Sequence, residues 1–293
     1  MTEPKNRRSM TTDATAQAPI RIGVFDSGFG GLTVLQALLP QIPTAKFFYL
    51  GDTARLPYGS KSQATVARYA VESAQLLESY GADTLVIACN TASALALDQI
   101  RAAAHVPVLG VIETGAESAA AASSTRDVLV LATQATVQSH AYAHACAAHG
   151  LRSIEKACPL LVPLIEEGWI DHSVTREVLR IYLEEAAAAA NSEGLTPDTL
   201  LLGCTHYPLL RTLLEATLPE GMTILDSAET TARRIRRQLE EKGVLPATSA
   251  SGQIPDLARC HFYATDSVDK FRTLGSRFLG QPIEHVELID LGG

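Results

Sequence analysis

A chain of 293 residues, 46% apolar and with a formal net charge of −8, is long enough for two modest α/β cores and short for three. That charge excludes a nucleic-acid surface as the main business of the protein, and no apolar run approaches the roughly 20 residues a membrane helix needs. The five cysteines are odd in number, lack Cys-x-x-Cys spacing and follow no export signal, so they read as reduced thiols of a cytoplasmic protein.

Residues 1–20 are polar, without a hydrophobic centre, and are expected to be a flexible extension rather than a signal peptide. Beyond them, short β-rich runs alternate with Ala/Leu-rich stretches, the pattern of an α/β protein with parallel sheets. Strands are expected at 22–25, 46–50, 84–88, 106–109, 127–131, 152–156, 199–203, 222–225 and 261–264. Helices are expected at 62–80, 138–149, 173–191 and 230–242, and 245–256 reads as a turn-rich insertion. Arg233, Arg234, Arg236 and Arg237 have the spacing of a solvated helix face.

An internal echo is the most informative feature. Asp83-Thr84-Leu85-Val86-Ile87-Ala88-Cys89 is matched by Asp198-Thr199-Leu200-Leu201-Leu202-Gly203-Cys204. Each segment is a buried-type strand that delivers a cysteine at its end, followed by Asn90-Thr91-Ala92-Ser93 or Thr205-His206-Tyr207-Pro208. Open α/β sheets bind ligands beyond the carboxyl ends of their strands, where helix N-termini also point. Two facing halves would aim one thiol each at a shared cleft. Two buried core cysteines are the plainer alternative, which this pattern leaves open.

A third strand end carries Asp26-Ser27-Gly28-Phe29-Gly30-Gly31, with glycines that let the backbone approach a ligand before Leu32 opens a helix. A dinucleotide fingerprint would need glycine at 33, where the chain has threonine, and Asp26 would repel a pyrophosphate. An N-cap at Asp26 is the bland reading.

Inverting a carbon centre by proton transfer needs a base on one face and an acid on the other, and paired thiols can supply both. Pyridoxal chemistry would need a lysine beside a phosphate cup, for which Lys61 is the least unsuitable. Zinc on Cys89, Cys204 and His206 lacks an evident fourth ligand. His140, His144 and His149 lack a metal-site companion, and Cys146, Cys158 and Cys260 read as core or half-buried thiols.

Five ordered motifs carry a resemblance from about residue 22 to 290. They are Gly23-Val24-Phe25-Asp26-Ser27-Gly28 with Gly30-Gly31, Gly51-Asp52-Thr53-Ala54-Arg55-x-Pro57-Tyr58-Gly59, and Ala88-Cys89-Asn90-Thr91-Ala92-Ser93. Ala157-Cys158-Pro159-Leu160-x-Val162-Pro163-Leu164-x-Glu166 and Leu202-Gly203-Cys204-Thr205-His206-Tyr207-Pro208 complete the set. Together they resemble the bacterial glutamate racemases of the aspartate/glutamate racemase superfamily.

The resemblance implies an α/β fold of two similar, flavodoxin-like parallel-sheet domains facing each other across a cleft. Their expected bounds are 21–115 with 228–293, and 116–227. It also implies that Cys89 and Cys204 flank the substrate Cα as acid and base, with Asp26, His206 and Glu166 assisting. Ser27, Pro57, Tyr58, Gly59, Asn90, Thr91, Thr133, Thr136 and Thr205 match positions that hold the substrate, together with Asp26 and His206.

No cofactor or metal is implied, and the expected product is D-glutamate for peptidoglycan. Family members are often dimers of varying geometry, so a homodimer is an expectation without a geometry. The extension resembles that of Gram-negative members gated by a cell-wall nucleotide precursor, which leaves an activator open. Glu113-Thr114-Gly115 departs from an expected Glu-Pro-Gly at the interdomain crossing, a change expected to loosen it. The alternatives are a racemase of aspartate or another amino acid, disfavoured by His206, and a non-catalytic binding module, disfavoured by intact Cys89 and Cys204.

Overall fold

The computed structural model describes residues 19–245 and 256–291, so most of the expected extension and of the turn-rich insertion lies outside the described residues. Among the described residues the strands are β1 (Arg21–Asp26), β2 (Lys46–Gly51), β3 (Thr84–Ile87), β4 (Val108–Gly110) and β5 (Asp127–Ala132). They continue with β6 (Arg152–Ala157), β7 (Thr199–Gly203), β8 (Thr223–Asp226), β9 (Cys260–Ala264) and β10 (Glu287–Leu288). The helices are α1 (Leu32–Gln41), α2 (Gln63–Ser79), α3 (Asn90–Ala103), α4 (Val111–Ala122), α5 (Gln134–Gln138) and α6 (Ala141–Ala148). Further on lie α7 (Leu161–Glu166), α8 (Ser173–Ser192), α9 (Arg211–Glu215), α10 (Ser227–Glu241) and α11 (Val268–Leu279).

These strands form two sheets, in the orders β10-β9-β2-β1-β3-β4 and β6-β5-β7-β8, and every pairing is parallel. The fold is therefore α/β with two parallel sheets. Covering helices explain the strand compositions: β5 and β7 are buried at every residue, so Val, Leu and Ala follow one another without polar alternation. One hydrophobic cluster runs from Val24 and Tyr49 through Leu35, Leu38 and Ile235 to Leu129, Leu131 and Leu202, so the core is continuous between the sheets.

The two sheets share a pattern. In β2-β1-β3-β4 the order reverses between β1 and β3, and in β6-β5-β7-β8 it reverses between β5 and β7. Such a reversal opens a crevice at the carboxyl ends of the two strands beside it. Asp26 ends β1 and Cys89 follows β3, while Thr133 follows β5 and Cys204 follows β7. The repeated Asp-Thr-Leu strands thus occupy equivalent slots.

Local departures from the sequence expectations have physical causes. The helix expected at 138–149 is α6 and begins only at Ala141, because His140 adopts a left-handed φ of 54° between α5 and α6. The expected solvated arginine face of α10 is only partly free. Arg234 and Arg237 meet Glu117 of α4 at 3.1 and 3.5 Å, and Arg236 Nη1 donates to Gln41 O at 2.9 Å. Thr114 stands within α4, where its hydroxyl donates to Val111 O at 2.9 Å and bonds Thr231 of α10 at 3.0 Å. This crossing is therefore hydrogen-bonded to its neighbour helix rather than left without contacts.

Candidate active site

Two of the central strands, β3 and β5, run into helix caps at Cys89 and Thr133. Cys89 is the N-cap of α3: its sulfur accepts the Ala92 N–H at 3.4 Å, and its thiol donates to Ser27 Oγ at 3.4 Å. Cys204 leads into a 3-10 turn at Tyr207–Leu210. Its sulfur lies 3.9 Å from His206 Nδ1, and His206 Nε2 lies 3.2 Å from Glu166 Oε1. Lys270 Nζ from α11 stands 3.6 Å from Glu166 Oε2, and the Phe278 ring meets the imidazole edge-on at 4.9 Å between centroids.

Both thiols open into one cavity of about 680 Å³, each 5% exposed. Of the residues expected from the sequence, Ser27, Pro57, Tyr58, Gly59, Cys89, Asn90, Thr91, Thr133, Glu166, Cys204, Thr205 and His206 line it. Asp26 and Thr136 do not; they stand directly behind its wall. Thr136 shares a hydroxyl cluster with Thr91 and Thr133, at 3.3 and 2.9 Å, which joins the ends of α3 and α5 across the two sheets. The Asn90 amide is also tied at both ends, accepting from Tyr142 Oη at 2.7 Å and donating to Ser227 Oγ at 3.2 Å.

The glycines after Asp26 act differently from expectation. Gly28 lines the cavity, but a Cβ at Gly30 would lie 2.3 Å from Thr205 Oγ1 and 2.5 Å from His206 Nδ1. Glycine at 30 therefore makes room for the opposite half of the site, not for a ligand alone.

Charge is distributed unequally. Burial, and then Asp26, push the Cys89 thiol up to about 12, against the opposing pull of Ser27 and the α3 amides. A cap position beside a helix N-terminus would favour the thiolate, so here desolvation outweighs the helix. Asp26 is raised by its own burial, partly offset by the charge of His206. Its Oδ2 accepts the Gly28 N–H at 3.0 Å, while Oδ1 is buried without a hydrogen-bond partner among the described residues. Burial also works against a charged His206, but hydrogen bonds with Cys204 and Glu166 outweigh it and raise the ring to about 10. Glu166 is lowered despite its burial, because His206 and Lys270 face it. The arrangement holds a neutral thiol on one wall and a thiol beside an imidazolium on the other.

Among the lining residues that were not expected as site residues, Cys158 and Lys61 stand out. Cys158, read as a core thiol, is indeed buried but also lines the cavity, and burial raises it to about 12. It follows β6 just as Cys89 and Cys204 follow their strands, a signal legible in Ala157-Cys158-Pro159. Lys61 lines the cavity beside Gly59-Ser60 and is the sole lysine or arginine among the described lining residues.

The family model for Asp/Glu/hydantoin racemases matches residues 31–235. The chain is 52% identical to a glutamate racemase of Koribacter versatilis, over 94% of this chain and 99% of the relative. It is 44% identical to that of Chlorobaculum tepidum, over 92% and 96%.

Among solved structures, glutamate racemase isoform RacE1 from Bacillus anthracis superposes with a TM-score of 0.81 at 34% identity, covering 94% of this chain and 98% of that one. The Francisella tularensis glutamate racemase in complex with D-glutamate gives 0.80 at 33% identity, over 93% and 98%. The Escherichia coli enzyme in complex with L-glutamate and the activator UDP-MurNAc-Ala gives 0.70 at 27% identity, over 94% and 100%. By its matched length and by these relatives, the chain belongs to the Asp/Glu/hydantoin racemase family.

Proposed function

We propose that this chain is a cytoplasmic glutamate racemase that inverts Cα with two cysteines and supplies D-glutamate for peptidoglycan. The observation that carries the reading is the pair of strand-end thiols, Cys89 after β3 and Cys204 after β7, opening from two equivalent sheets into one cavity. A thiolate on one face removes the α-proton while the opposite thiol delivers another, and the roles exchange with the direction of reaction. His206, tied to Glu166, exchanges a proton with Cys204, and Asp26 behind Cys89 serves the other half. The α-proton of a free amino acid is only feebly acidic, so donors around the cavity must hold the developing carbanion in a site with little water. Ser27, Tyr58, Gly59, Asn90, Thr91, Thr133 and Thr205, with Pro57 shaping the loop, are the residues proposed to hold the substrate, and Thr136 orients Thr91 and Thr133 from behind.

In this reading the first domain comprises residues 21–115 and 228–293, and the second comprises 116–227. The substrate carries two carboxylates beside its ammonium, and hydroxyls, helix amides and Lys61 suit those carboxylates in a chain whose net charge is −8. A chiral assay of the reduced, chelator-treated protein with glutamate, aspartate and alanine tests the assignment. Conversion of glutamate ahead of the other two is expected; faster conversion of aspartate would replace the substrate, and no conversion of any would refute the activity.

A further inference from the structure

Asp52 belongs to Gly51-Asp52-Thr53-Ala54-Arg55, a run that the reaction above leaves without a role. It follows β2, is fully buried, and does not line the cavity. Both carboxylate oxygens are nevertheless satisfied. Tyr58 Oη donates to Oδ2 at 2.5 Å and Thr265 Oγ1 donates to Oδ1 at 2.9 Å. Arg55 Nη1 lies 3.8 Å from Oδ2 and is itself held by Glu72 at 2.7 Å. Burial raises Asp52, and the two hydroxyl donors and Arg55 oppose it.

The surrounding loop is clamped at the same place. Ala54 N–H donates to Thr265 Oγ1 at 2.9 Å, Thr53 Oγ1 donates to Asp266 O at 2.5 Å, and Asp266 N–H donates back to Thr53 Oγ1 at 2.9 Å. A segment just after β2 is thus fastened to one just after β9. The carboxylate is the hub, because hydrogen bonds to a buried charged acceptor are stronger and more directional than neutral ones.

What the hub holds is Tyr58, a cavity residue. The Tyr58 ring is 1% exposed, packed between Phe25 and Tyr69 at centroid distances of 6.2 and 6.1 Å. Its neighbour Gly59 faces the opposite half of the site so closely that a Cβ there would lie 3.1 Å from Thr133 Cβ. Where Tyr58 sits therefore decides where loop 57–59 meets the far wall, and so how much room the substrate has.

We propose that Asp52 is a positioning residue: through Tyr58 it fixes loop 57–59 against the second sheet and so sets the fit of the amino-acid substrate. This rests on the racemase reading. The test is steady-state kinetics with L-glutamate on the full chain carrying Asp52→Asn, Tyr58→Phe, or both. Each single change should raise KM on the order of tenfold while kcat moves less than about threefold, since a binding wall shifts and neither thiol is touched. The double variant should be no worse than the weaker single, because both remove one interaction.

Thr265→Val, which deletes the second donor, should raise KM in the same way, and Thr265→Ser should restore it. These variants decide the matter if Asp52→Asn does not fold. A wild-type protein unable to convert glutamate would remove the racemase reading and this proposal with it. An active wild type whose KM is unmoved by Asp52→Asn, or by Thr265→Val where that variant alone folds, would overturn the proposal alone. So would single effects that multiply in the double variant.

Discussion

At the end of β3, Cys89 meets a serine hydroxyl and a helix amide, with the buried Asp26 carboxylate behind. At the end of β7, Cys204 meets an imidazole that Glu166, backed by Lys270, holds from its far side. The two cysteines occupy equivalent slots in like sheets, yet at one of them burial and Asp26 keep the proton on sulfur, and beside the other stands a cation. Duplicated topology supplies opposed directions of approach, and side-chain chemistry makes the two approaches unequal. A two-base reaction uses that inequality, because one sulfur must be charged when the other is neutral.

The comparison breaks most sharply if the cysteines are removed one at a time. Cys89→Ala and Cys204→Ala should each lower net inversion by about 10³-fold or more, since each deletes the only acid or base on its face. Exchange of the α-proton with solvent should persist from one enantiomer in each variant, and from opposite enantiomers in the two. Chiral chromatography combined with mass spectrometry reads both quantities. Exchange from the same enantiomer in both variants would mean that the halves do not face opposite sides of Cα.

A smaller effect sharpens the chemistry of the Cys204 half. His206 has a folded-state value raised from 6.5 to about 10, so its stabilising contribution is fully present below about pH 6.5 and is lost as pH rises through about 10. Glu166 is depressed below 4.5, so its contribution is present above that pH and is lost on acidification. Stability from this pair should therefore be greatest between about pH 4.5 and 6.5. In Glu166→Gln, the fall in Tm between pH 6.5 and 10 should shrink by on the order of 2 °C, measured by scanning calorimetry. An unchanged slope would show that the pair does not hold a proton.

Much of this was legible in the sequence because buried parallel strands leave continuous apolar runs. Each of the nine expected strands is present with ends displaced by no more than two residues. The tenth, Glu287–Leu288, is two exposed residues paired only with β9, and its composition carries no strand signal. The break at His140 was hidden, since a left-handed residue other than glycine is set by its tertiary surroundings.

In the site, strand-end cysteines were readable from the echo, and the partners of Cys204 came from motif resemblance. The close approach of Gly30 to His206 was not readable, because it joins the start of α1 to a segment about 175 residues further on. Neither was the bond from Asp52 to Thr265, whose positions lie 213 apart in the chain. Pairwise spacing within one sequence carries no trace of such contacts.

Two-thiol racemisation is tested most directly by following L-glutamate in D₂O with the wild-type, chelator-treated chain at low conversion. Two opposed acid–base groups predict D-glutamate carrying deuterium at Cα while the remaining L-glutamate is still protiated. D-glutamate that retains the proton of its substrate would mean that one group serves both faces, and would contradict the pairing of Cys89 with Cys204.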